Sequence, residues 1–158
     1  MASETATPTD TQTRTGIESW QAGLAGGLAG GLIFGVMMTM QMEMIMEMAI
    51  PGMYGLGPSL AIGWAIHMLH SVVLGVIFGL LLQATALEER LDSNLTIAVA
   101  GLAYGIVLWI VLASFVMPAW VGAMTGMSPP VPDWNAQSLM GHAVYGVILG
   151  LLYSLLAR

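Results

Sequence analysis

The chain has 158 residues, of which 57% are hydrophobic and 8% charged. A soluble domain carries about 25% charged residues, so this chain has too little charge to cover a water-facing surface. The sequence therefore calls for a lipid bilayer as its main solvent. A net charge of -6 with no basic patch excludes nucleic acid as a partner. The absence of cysteine excludes disulfides and thiolate metal sites. The chain also lacks lysine, and its acidic, Thr-rich start reads as adaptation to a high-salt organism, with a halophilic archaeon as the expected source.

Residues 1 to 16 (MASETATPTDTQTRTG) are polar and cannot bury a core, so they read as a disordered tail. Residues 17 to 158 form the predicted transmembrane domain. A bilayer core of ~30 Å takes about 20 apolar residues in helix, and four stretches meet that length. The first runs from about residue 20 to 50 and ends before Pro51. The second covers about 60 to 84, after Pro58. The third covers about 95 to 117, before Pro118. The fourth covers about 136 to 156. Proline cannot continue a helix, so Pro51 and Pro118 are expected to close the first and third spans. Ser93 or Asn94 is the expected cap of the third.

The arginines set an expected orientation. With four spans, Arg14, Arg90 and Arg158 fall on one side, and the loops 51–59 and 118–135 lack Lys and Arg. Basic residues favour the cytoplasmic side, so both termini are expected inside a cell membrane.

The two halves resemble each other at a spacing of about 70 residues. Gly31-Leu-Ile-Phe-Gly35 matches Gly101-Leu-Ala-Tyr-Gly105, and Gly75-Val-Ile-Phe-Gly79 matches Gly146-Val-Ile-Leu-Gly150. The expected fold is all-α: a four-transmembrane-helix bundle built from a parallel duplication of a helix pair. Small residues drive helix association in lipid, so Gly27, Gly31, Gly35, Gly75, Gly79, Gly101, Gly105, Gly146 and Gly150 are the expected packing positions. A homo-oligomer or a larger membrane complex is a further use for the glycine ridge of the first span.

Ionisable groups inside a membrane are costly and mark candidate sites. Glu43 and Glu47 lie four apart and extend the ridge Gly31, Gly35, Thr39. His67 and His70 lie in the second span and His142 in the fourth. All five fall at similar depth, in the half of the bilayer opposite the arginines. They are the expected metal ligands, with His67, His70 and His142 the expected cofactor-binding residues. A divalent metal, copper, haem held axially by histidines, a structural polar network, or a proton relay all fit such a set. Seven methionines between Met37 and Met48 flank the acidic pair. Thioethers suit Cu(I), but methionine is more commonly adaptable apolar filler. Trp20, Trp64, Trp120 and Trp134 read as interfacial anchors, and Trp109 as a packing residue.

The segments Gly31 to Met40 (GLIFGVMMTM), Gly101 to Trp109, Met117-Pro118 and Gly141-His142-Ala-Val-Tyr145-Gly146-Val-Ile-Leu-Gly150 resemble a family of small uncharacterised four-helix membrane proteins of archaea and bacteria. The resemblance covers most of the chain after residue 20. It implies the fold and brings no established activity, and Glu43 and Glu47 are not carried over from it. The chain shows no nucleophile triad, phosphate loop or dinucleotide motif, which argues against an enzyme. The leading expectation is an accessory or cofactor-binding membrane protein. The alternative is a small oligomeric transporter or channel that passes protons or ions along the Glu/His cluster.

Overall fold

A computed structural model describes residues 16–91 and 93–157 of the chain. Residues 1–15, with Arg14, and Arg158 lie outside the described residues. The described residues are helical with short connections, and four helices are long and apolar enough to cross a membrane. They are α1 (Ser19–Gln41), α2 (Leu60–Ala84), α3 (Asn94–Thr125) and α4 (Ala136–Leu156).

Each helix starts on a local device that satisfies orphan N–H groups. Glu18 and Gln21 form a reciprocal capping box on α1, Ser59 caps α2 and Asn135 caps α4. Ser93 caps α3 through Thr96. The start of α1 is tied to the end of α4 by the Ile17 N–H, which donates to Leu156 O at 2.9 Å.

The helices are arranged in the order α2, α1, α4, α3. Glycine sets the three contacts that make this order. A Cβ on Gly23 or Gly27 would strike the α2 backbone at Gly75 or Ser71, and one on Gly75 would strike Gly23 and Gly27. Gly31 meets Ser71, Gly35 lies under the Trp64 ring, and Gly79 lies against Ser19. On the neighbouring face of α1, Gly26 and Gly30 meet Leu149 and Tyr145 of α4. The third contact joins α3 to α4: Gly101 meets Gly146 and Gly150, and Gly105 meets His142 and Gly146. Both glycine faces of α1 are thus occupied within the chain. The two glycine-packed pairs differ in register, since Gly31 meets Ser71 whereas its sequence match Gly101 meets Gly146 and Gly150.

The helices α2 and α3 make no extended contact with each other. A long side chain bridges them directly. Tyr104 of α3 donates its hydroxyl to Leu74 O at 2.8 Å, and its ring packs on Phe78, which packs in turn on Tyr153.

The ends of the first and third spans differ from the sequence expectation. The first helix stops at Gln41, and Met42 leaves helical geometry at φ -144°, ψ 43°. A π-helical turn at Ile45–Ala49 follows, then a short helix Ile50–Gly52 that contains Pro51. The third helix does not stop at Met117. It loosens into a π-helical stretch, Trp109–Val116, and continues through Pro118 to Thr125. A wider turn makes room for a proline ring that an α-helical turn excludes.

Because a side chain on Gly75 would meet the α1 backbone at Gly23 and Gly27, Gly75→Val forces α1 and α2 apart. The purified variant is expected to melt well below the wild type in detergent, in line with the ~1–3 kcal/mol or more that overpacking costs. Gly57→Ala meets nothing within 4 Å and is expected to melt with the wild type. Equal melting temperatures for Gly75→Val and Gly57→Ala would contradict the glycine contacts.

Candidate functional site: a cleft between α2 and α3

The site begins with two carbonyls that proline leaves without their helical donor. Pro51 has no N–H to give to Glu47 O, and Pro118 has none to give to Ser114 O. Each carbonyl is met by a backbone N–H from the loop that follows it. Ser59 donates to Glu47 O at 2.9 Å, and Asp133 donates to Ser114 O at 2.8 Å. Buried backbone acceptors need such partners, above all in a lipid environment. Both loops are therefore pulled back along the helix they have just left, and the next helix starts beside it.

In the second loop this brings Asp133, Trp134 and Asn135 down to the middle of α3. The Trp109 indole N–H donates to Asn135 O at 3.2 Å, and Trp134 stacks against Trp109 and Phe115. Asn135 then caps α4, its side-chain oxygen accepting the Ser138 N–H at 2.9 Å. In the first loop the segment after Met42 crosses from α2 to α3. Met46 O packs on Gly63 of α2, while Gly52 meets Thr125 of α3. Tyr54 completes the crossing: its hydroxyl is 2.6 Å from His70 Nε2 on α2, and its ring packs on Trp120 of α3.

Beneath this roof lies a cavity of about 400 Å³. Met42, Ile45, Ile50 and Met53 form its roof, and Leu108, Leu112 and Ala113 form the α3 wall. Its lining includes the exposed residues Leu69 and Val73 of α2 and Val116 of α3. The polar groups of the lining are His67, His70, Ser71, Tyr145, His142, Ser138, Asn135 and Asp133. A volume of this size lies within the range of small-ligand pockets, which are mostly apolar with a few placed polar groups.

The histidines have defined partners. His67 Nε2 lies 2.9 Å from Gly31 O, and His142 Nδ1 lies 2.8 Å from Ser138 O one turn earlier on its own helix. Phe34 packs edge-on against both rings, at centroid distances of 5.5 and 4.8 Å. Its ring also covers Gly141. Tyr145 donates to Ser71 O at 2.7 Å, and Ser71 donates to His67 O at 2.9 Å, so α2 and α4 are joined across α1.

The five residues singled out by depth divide into two groups. His67, His70 and His142 all line the cavity. Glu43 and Glu47 do not line it: Glu43 is exposed and Glu47 half-buried. The cause is the break at Met42, which ends the ridge Gly31, Gly35, Thr39 before it reaches them. Among the described residues, no group of three His, Asp or Glu side chains comes close enough to hold a metal ion. A haem between His67 and His142 would have to displace Phe34. The methionines divide as two strips, with Met38 and Met46 buried and Met40, Met44 and Met48 exposed.

Sequence reasoning missed Phe34, Asp133 and Asn135. A signal for the last two was present, since Pro118 is followed by Pro129, Pro130 and Pro132 ahead of a capping asparagine. A proline-rich loop that ends on a cap is one that has somewhere fixed to return to.

Fold and site together define a helical bundle with four helices able to cross a membrane and a cleft between two of them. The chain belongs to a family of unknown function, DUF6789, whose model matches residues 17–158. No curated protein and no solved structure matches the chain.

Pro118→Ala restores an N–H that competes with Asp133 for Ser114 O. The Asp133 amide is then expected to exchange with solvent deuterium roughly five-fold faster or more, which corresponds to the ~1 kcal/mol net worth of one such bond. An unchanged rate would show that Ser114 O does not hold the loop.

Proposed function

We propose that the chain is a multi-pass integral membrane protein that holds an amphipathic small molecule, drawn from the bilayer, in the cleft between α2 and α3. The observation that carries this reading is that exposed apolar residues of two neighbouring helices, Leu69, Val73 and Val116, belong to the cavity lining and would face lipid in a membrane. A molecule reaches such a cleft sideways from the hydrocarbon, and the polar groups of the lining give its head group a place to bind. The glycine contacts keep α2 on α1 and α3 on α4, so the cleft is held open by the bundle rather than by its occupant.

The test is native mass spectrometry of the full chain released gently from membranes. A bound amphiphile is expected on the wild type. Ala113→Trp fills the cavity wall and is expected to lose the bound species while keeping the helical circular dichroism of the wild type. Wild-type protein free of any bound lipid-like molecule, and unable to take one up, would overturn the reading. Equal retention by Ala113→Trp would move the site elsewhere.

The orientation follows from the basic residues. Arg90 closes a short turn between α2 and α3, at the end of the bundle away from the cleft. The basic residues favour the cytoplasmic side, so the proposed orientation puts the Arg90 turn in the cytoplasm and the cleft in the outer half of the bilayer. A periplasm-type alkaline phosphatase reporter is expected to be active when inserted after Gly126 and inactive when fused after residue 158. The reverse pattern would invert the topology.

A further inference from the structure

We infer that the occupant of the cleft presents a hydrogen-bond donor head, a hydroxyl or an amine, to the histidine wall; this rests on the reading of the cleft as an amphiphile site. The argument is a count of donors and acceptors. A carbonyl oxygen only accepts. The Nδ1 of His142, 2.8 Å from Ser138 O, must therefore carry the proton. A neutral imidazole has one N–H, so the Nε2 of His142 is left as a bare acceptor. The same logic applies to His67. Its Nε2 donates to Gly31 O at 2.9 Å, which leaves Nδ1 as an acceptor. The Asp133 carboxylate is a third acceptor lining the cavity. Its backbone N–H is spent on Ser114 O.

Two of the hydroxyl donors at the cavity wall are spent inside the protein: Tyr145 gives its proton to Ser71 O, and Ser71 gives its own to His67 O. The side-chain amide of Asn135, the Ser138 hydroxyl, the Trp120 indole N–H and the one proton that the Tyr54–His70 pair does not use are the donors that remain, and they suit the acceptor side of a hydroxyl. Lysine is absent from the chain, and no arginine lines the cavity. A phosphate or carboxylate head would meet Asp133 with no cation beside it. A donor head pairs with acceptors that otherwise stay bare in an apolar cavity, where unmet polar groups are costly.

The experiment holds the tail constant and changes the head. The full chain in detergent micelles or nanodiscs is titrated with dodecanol, dodecylamine, methyl dodecyl ether and dodecanoic acid, and binding is read by native mass spectrometry. The alcohol and the amine are expected to bind at least about ten-fold more tightly than the ether and the acid. His142→Phe and Asp133→Asn are expected to narrow that gap, with the ether affected least. Both substitutions leave the Asp133 backbone bond to Ser114 in place. If all four bind alike, or the acid binds best, the donor assignment is overturned while the cleft stands. If none binds, and Ala113→Trp behaves as wild type, the cleft reading itself has failed. A parallel titration with Zn²⁺ is expected to leave amphiphile binding unchanged; competitive displacement by Zn²⁺ would assign the acceptors to a metal instead.

Discussion

A proline inside an apolar helix leaves one carbonyl without its N–H, and in lipid there is no water to replace it. The architecture of this chain is arranged around two such carbonyls, Glu47 O and Ser114 O. Each lies four residues before a proline, and each is met by a loop N–H, from Ser59 and from Asp133. A π-helical turn precedes each proline. The consequence is geometric. A loop obliged to return to a helix interior carries its side chains with it. The first loop becomes a roof that ends in Tyr54, and the second delivers Asp133 and Asn135 to the cavity wall. The same device at the ends of α1 and α3 is also what two copies of one helix pair would share, and we propose that origin for it.

Glycine supplies the second half of the arrangement. Backbone approach at Gly23, Gly27 and Gly75, and at Gly101, Gly105 and Gly146, draws the helices into two tight pairs. Gly26 and Gly30 join the pairs through α4. No corresponding glycine contact joins α2 to α3, and the bulk of Tyr104 and Phe78 stands between them instead. The cleft is therefore the place where close packing was not encoded. Roof, wall and opening come from three separate causes, namely a broken helix, a returning loop and an unpacked pair.

The four helices were legible because hydrophobic length is a local signal. Depth along a span can also be counted from its ends, which is why His67, His70 and His142 were considered together. The fate of Glu43 and Glu47 was not legible. Extending a ridge from Gly35 to Glu47 assumes an unbroken helix, and Met42 breaks it without a proline or glycine to mark the spot. The proline effect was read with the wrong outcome for the same reason. A proline tells that a bond is lost, but whether the helix ends or widens depends on whether a distant N–H arrives to take the carbonyl. Ser59 and Asp133 are eight and fifteen residues beyond Pro51 and Pro118, and no local pattern connects them. Phe34 was hidden in an apolar run, and only packing shows that its ring sits against both His67 and His142.

What results is an apolar cleft with acceptors in its lining, and with Tyr54, His70 and Trp120 across the roof end. The measurement that tests this account most directly is an experimental structure of the chain in lipid nanodiscs. The account predicts elongated density entering between Leu69, Val73 and Val116, with its polar end beside His142 and Asp133. Packed contact between α2 and α3 along Val73 and Val116, with no density between them, would contradict it.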